Sequence, residues 1–206
     1  MKKDVIIGYS GHAFVVLDVL KSCNINVLAY CEHIKKQQNP YNLVYWGYEK
    51  NSEVLNNLQN CNVYIGIGSN LIRKNIYYLL QQHNISMPSV IHKNATVSAM
   101  AKIDLATVIM PGVVINSMAT IGKGVICNSS SIIEHECELA DFAHIAPGAT
   151  LAGNVKVGQN SFVGANAVIK EGVVIGSNVI IGAGSVVINN IADNKTIVGN
   201  PSKIIK

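Results

Sequence analysis

A six-residue register that opens at Ile91 and runs unbroken to Val187 restricts the folding options of this 206-residue chain more than anything else in it. Of the seventeen positions in that register sixteen are aliphatic, and the exception is Cys127. Four places after each comes a small or β-branched residue, as at Ala101, Val113, Ala119 and Ser131. Glycine often follows the aliphatic directly, as in Ile121-Gly122, Val157-Gly158 and Ile181-Gly182. A period of six suits neither an amphipathic helix nor an alternating strand. It suits a prism whose flat walls each take six residues, three walls closing a coil of roughly eighteen. The aliphatic points inward and the small residue lets the chain turn the corner. Residues 91–187 are therefore expected to form an uninterrupted stack of parallel coils.

The chain before this register follows another rule. Val5 to Gly8 is a short apolar run closed by glycine, as expected of a buried parallel strand. His12 to Ser22 carries apolar residues at 13, 16, 17 and 20, which is helical spacing. Asn26–Tyr30 and Asn62–Ile67 read as further strands, and Ser52–Leu58 and Leu71–His83 as helices, with Ser52 as N-cap. Segment 34–50 has no period and is expected to be a loop. Alternating strands and helices imply a parallel sheet. The expected domains are 1–85, an α/β Rossmann-like nucleotide-sugar-binding domain, and 86–206, the β-helix.

Composition removes several classes. With 49% hydrophobic and 14% charged residues, extensive disorder is not expected. The net charge of +4 is spread over scattered basic residues, which suits an anionic small ligand better than nucleic acid. The apolar run after Lys2 and Lys3 stops at Ile7, short of a signal peptide, and no stretch approaches a membrane span. Five cysteines without metal-site spacing read as reduced thiols of a cytoplasmic protein, with no metal.

Several stretches, in order, carry a resemblance: GYSGHA at 8–13, IGIGSNLIRK at 65–74, VIHKNATVS at 90–98, NSSSIIEHE at 128–136, HIAPGATLAGNVKVG at 144–158 and VGNPSK at 198–203. The array resembles the left-handed parallel β-helix (hexapeptide repeat) acyltransferases. The whole chain is similar to bacterial sugar N-acetyltransferases of the PglD and NeuD type. That resemblance implies a homotrimer using acetyl-CoA as co-substrate and no metal. It also implies transfer to the 4-amino group of a nucleotide-linked amino-deoxy sugar, UDP-linked first and GDP-linked second. Two alternatives remain open: O-acetylation of a sialic-acid-like sugar, and a non-catalytic binding module.

By the same resemblance His135 is the general base and Glu136 tunes it. An imidazole suits that role, because its ordinary pKa of about 6.5 lies near operating pH and a carboxylate beside it raises its basicity. The amine can attack the thioester directly, so no nucleophilic side chain is required. His144 is implied near the thioester, and Ala165 and Ala183 along the coenzyme. Ser10, Gly11 and His12 follow the first strand, where backbone N–H groups at a helix N-terminus can meet a diphosphate. Gly68 is expected at the same sheet edge. At the end of the second strand UDP-binding relatives place acidic residues. Here Glu32 could accept ribose hydroxyls, but Cys31 could not stand in for a carboxylate, which puts the nucleotide in question.

Overall fold

A computed structural model describes residues 2–206 and divides them into two compact units that part between Val90 and Ile91. In the first unit β1 (Lys3–Ile7), β2 (Val27–Cys31), β3 (Val44–Tyr45) and β4 (Cys61–Ile65) form a parallel sheet of order β3-β2-β1-β4. Its helices are α1 (Gly11–Ser22), α2 (Ser52–Leu58) and α3 (Asn70–Gln82). Val5, Ile6 and Ile7 are wholly buried at the centre, as a strand flanked on both sides requires.

Two expectations change here. Segment 34–50 is not all loop: Val44 and Tyr45 pair with Ala29 and Tyr30. The segment is held by aromatic packing that a periodicity argument does not register. Tyr9 is stacked on Tyr30 with centroids 4.1 Å apart, and its hydroxyl donates to Asn39. The Asn39 side chain in turn bonds both the N–H and the C=O of Leu43. The N-cap of α2 is Asn51, not Ser52. At the end of this unit the Ser86 carbonyl accepts from the Val63 N–H at 2.8 Å.

The second unit is the expected prism. A two-residue strand recurs every six positions from Val90–Ile91 to Val186–Val187, with no inserted loop. These strands stack into three parallel walls of six, six and five, and Thr196–Val198 extends the first wall. Val108, Ile126, His144 and Phe162 start successive strands of the first wall; Val114, Ile132, Thr150 and Val168 those of the second; Lys102, Thr120, Glu138 and Lys156 those of the third. The second residue of each strand points inward. Ile109, Ile133, Ile145, Leu151, Val163 and Ile169 are fully buried, each contributing about 1.5–3 kcal/mol relative to exposure.

The corners are built differently from the expectation. The small residues four places after each aliphatic do not make the turn; Ala119, Ser131, Cys137, Ala143 and Ala149 are wholly buried inside it. The residue just before each of them turns the chain, with a left-handed φ of +54° to +70° at Ala106, Gly112, Met118, Gly124, Ser130, Glu136, Phe142, Gly148, Asn154, Asn160 and Asn166. Asparagine and glycine are favoured there because they tolerate that conformation. Asn160, Asn178 and Asn194 also form an amide ladder, at 3.2 and 3.1 Å. The last coil is two residues short: Ile175 bridges Ile191 and Ile181 pairs with Ile197, a step of sixteen. An antiparallel strand, Lys203–Ile204, closes the stack against Ile197 and Val198.

Candidate active site and ligand edges

His135 and Glu136 lie in the corner between the second and third walls, after Ile132–Ile133 and before Glu138–Leu139. His135 Nδ1 is 3.1 Å from Glu136 Oε2. An ionised carboxylate can only accept, so it holds the ring proton on Nδ1 and leaves the Nε2 lone pair for a substrate proton. The side chains are 56% and 63% exposed, and a pair so open contributes little to stability. Glu136 also occupies the left-handed position of its corner, with φ +60°, where a glutamate is strained.

The register missed one residue of this site. Gly153 sits one coil beyond His135, and a Cβ there would lie 2.5 Å from Cε1 and 2.6 Å from Nε2 of the imidazole. The ring therefore rests on a bare backbone. The spacing of eighteen between 135 and 153 was the available signal. Along the same corner Glu134 accepts from the Asn116 amide at 2.7 Å. Beside it an open groove of about 990 Å³ runs along the third wall, lined in part by Glu136, Glu138, Asn154 and Lys156.

His144 lies elsewhere on the prism. It starts a strand of the first wall, the wall opposite the His135 corner. The residue is 7% exposed, its ring packed edge-on to Phe162 with centroids 5.0 Å apart, and Asn128 Nδ2 approaches Nε2 at 3.1 Å. With the amide donating, Nε2 accepts and Nδ1 carries the proton. Ala165 and Ala183 occupy successive coils of the corner between the first and second walls, Ala165 half-buried and Ala183 exposed. The Ala165 carbonyl accepts from Gly184 N at 2.8 Å. Gly164 lets the coils approach there, since a Cβ would lie 2.6 Å from Ala183 N. His144, Ala165 and Ala183 thus share one side of the prism, and His135 with Glu136 another.

In the first unit the residues expected to meet the nucleotide gather at the C-terminal edge of the sheet. Gly8 has φ +90°, which favours glycine. Ser10 caps α1 through its position alone, with no side-chain bond to the helix. Nothing lies within 4 Å of a Cβ built on Gly11, so this end of the helix is open. A Cβ on Gly68 would be 3.6 Å from the His12 ring, which places the α1 and α3 turns side by side. Burial first, and the Arg73 charge second, pull the His12 pKa down to about 4. Glu32 reaches back to the first turn: its Oε2 accepts from Tyr9 N at 3.2 Å and lies 3.5 Å from Lys36 Nζ. Burial pushes the Cys31 thiol up to about 12, so it stays neutral. Sequence reasoning missed Glu49, which is 6% exposed and whose carboxyl is raised by burial and, more weakly, by the Glu32 charge. It sits in the aperiodic segment, where no pattern signals it.

Among the described residues no group of three or more His, Cys, Asp or Glu side chains is gathered as for a metal ion. No helix among the described residues is long and apolar enough to cross a membrane.

Residues 4–80 match the profile of the PglD N-terminal domain, and residues 154–189 that of the bacterial transferase hexapeptide (six repeats). A perosamine N-acetyltransferase variant from Caulobacter crescentus, in complex with CoA and GDP-perosamine, superimposes with a TM-score of 0.94 at 32% identity, over 100% of this chain and 98% of that one. The acetyltransferase domain of PglB from Neisseria gonorrhoeae, in complex with acetyl coenzyme A, gives 0.93 at 30% identity over 99% of each chain. A GDP-perosamine N-acetyltransferase of Escherichia coli O157:H7 is 31% identical over 97 residues, a stretch covering 47% of this chain and 44% of the relative. An α/β unit at one end, a left-handed hexapeptide β-helix at the other, and likeness over the full length to sugar-modifying relatives place the chain in the PglD-like, acetyl-CoA-dependent sugar N-acetyltransferases of the hexapeptide transferase superfamily.

Proposed function

We propose that this protein transfers the acetyl group of acetyl-CoA to the 4-amino group of a GDP-linked amino-deoxy sugar of the perosamine type. The observation that carries the reading is the exposed His135–Glu136 pair, with the carboxylate at Nδ1 and Glu136 itself lining a groove along the third wall. In the reaction the sugar amine attacks the thioester carbonyl and His135 Nε2 takes the amine proton. The tetrahedral intermediate then collapses, breaking the C–S bond, and the CoA thiolate leaves and is protonated. The resemblance alone placed UDP ahead of GDP; the relatives' complexes with GDP-perosamine shift support to guanosine. The α/β edge with Ser10, Gly11, His12, Glu32 and Gly68 binds the nucleotide, and His144, Ala165 and Ala183 hold acetyl-CoA.

The positions of the two histidines also favour the homotrimer. His135 and His144 occupy opposite sides of one prism, so a site that uses both takes them from two copies. The second wall offers a surface for association, since Thr96, Val114, Ile132, Thr150, Val168 and Val186 form an outward β-branched column.

A panel of GDP-, UDP- and dTDP-linked 4-amino-6-deoxy sugars, incubated with acetyl-CoA and read by product mass and thiol release, tests the reading. Acetyl transfer is expected with the GDP-linked sugar. Release of CoA with none of the panel overturns the activity, and exclusive use of the UDP-linked sugar overturns the base.

A further inference from the structure

We infer that Arg73 is a positioning residue for the diphosphate of the nucleotide-sugar: it holds the turn between β4 and α3 and places a fixed positive charge beneath the ligand edge. The inference rests on the α/β unit binding a nucleotide, as proposed above. Arg73 is 1% exposed, the largest side chain buried to that degree. Its Nη1 donates to the carbonyls of Ile67 at 3.2 Å and Gly68 at 3.0 Å, and its Nη2 to Asn70 Oδ1 at 2.9 Å. One planar fork thus fixes the turn that abuts His12.

Stability alone is a poor account of this arrangement. Taking a guanidinium out of water is unfavourable before its bonds are counted. The residue also sits in the first turn of α3, where the helix dipole is itself positive and repels a cation. Burial draws its pKa down to about 9, so it remains charged at neutral pH. The same charge bears on His12, at the open end of α1. Two unfavourable terms accumulate where the turns after β1 and β4 meet, and a diphosphate at that edge relieves both. Local conflicts of this kind mark functional sites. Lysine would keep the charge but could not hold both carbonyls with a planar fork, and methionine would fill the space without either.

The test uses full-length wild type, Arg73→Met and Arg73→Lys. Binding of GDP, UDP and acetyl-CoA is measured by calorimetry, with steady-state kinetics alongside and thermal melts to confirm folding. Loss of a charge-assisted contact should raise the Kd for the nucleotide and the KM for the nucleotide-sugar about tenfold or more in Arg73→Met. Arg73→Lys should recover part of that loss, while the KM for acetyl-CoA and kcat stay within about twofold of wild type. If Arg73→Met fails to fold, Arg73→Lys decides, its nucleotide affinity expected to fall below wild type. Unchanged nucleotide affinity in the folded variants, or equal loss for nucleotide and acetyl-CoA, overturns the inference. A wild type that binds neither GDP nor UDP instead overturns the nucleotide reading on which it rests.

Discussion

His135 is exposed and outside the aliphatic column, so its replacement should change chemistry and leave folding alone. His135→Ala is expected to lower kcat/KM by about 10²–10⁴-fold, the usual range for losing a general base. Its melting temperature should match wild type. Glu136→Ala should cost less, because it removes the group that orients Nδ1–H and leaves the proton acceptor in place. Steady-state kinetics on both variants check this, and an equal loss in the two would assign Glu136 a role in proton transfer. Gly153 gives a sharper test. A methyl group there would displace the imidazole, whose ring atoms it would approach to 2.5 Å, while φ at 153 needs no glycine. Gly153→Ala should therefore fold normally yet lose activity, by about 10²-fold for a displacement near 1 Å. Unchanged kcat/KM would show that the ring need not rest where it does.

At the scale of the element, the corner is the unit that repeats, and its left-handed residue is where local strain concentrates. Most corners answer that demand with asparagine or glycine; the corner of the proposed base uses Glu136, at a cost of roughly 1 kcal/mol. Glu136→Asn should consequently raise stability by up to about 1 kcal/mol in denaturant unfolding while lowering activity. A variant both less active and less stable would refute the trade-off. The aliphatic positions were legible from the sequence because each wall imposes the same inward step. The turning positions were not read, although they share the same period of six, because Ala106, Met118, Ser130 and Phe142 interrupt the asparagine–glycine pattern. Strand β3 was invisible for a related reason. Two residues are too short to show alternation, and what orders them is the packing of Tyr9, Tyr30 and Tyr45.

For the whole molecule, the opposed positions of His135 and His144 lead to an assembly-level prediction. If each site combines His135 of one copy with His144 of the next, the single variants His135→Ala and His144→Ala should complement. Mixed trimers, prepared by co-expression with two purification tags, should regain about one wild-type site each. Activity no higher than the average of the separate variants would place the site within one copy. Light scattering at micromolar concentration should report a trimer, and His144→Ala alone should raise the KM for acetyl-CoA more than that for the sugar.

The sequence by itself determined the backbone plan: an α/β unit followed by a three-walled prism of parallel coils. Both rest on short-range periodicity, and a period of six or of strand–helix alternation survives in one dimension whatever the chain later contacts. Resemblance to the hexapeptide acyltransferases singled out His135 and Glu136, and the glycines after the first strand were read as suited to phosphate approach. Tertiary structure alone decided which residues meet. Gly153 lies under His135 because coils stack at eighteen residues, Glu49 nears Glu32 because an aperiodic segment folds back, and Arg73 fixes the turn beside His12 because its side chain is buried while Leu71 and Ile72 before it stay exposed. No local pattern encodes the approach of Glu49 to Glu32 or of Arg73 to His12, whereas the Gly153 contact follows the coil repeat of eighteen. The separation of His135 from His144 follows that repeat too: nine residues along the six-residue register are half a coil, so the register itself carries the second histidine to the far side of the prism.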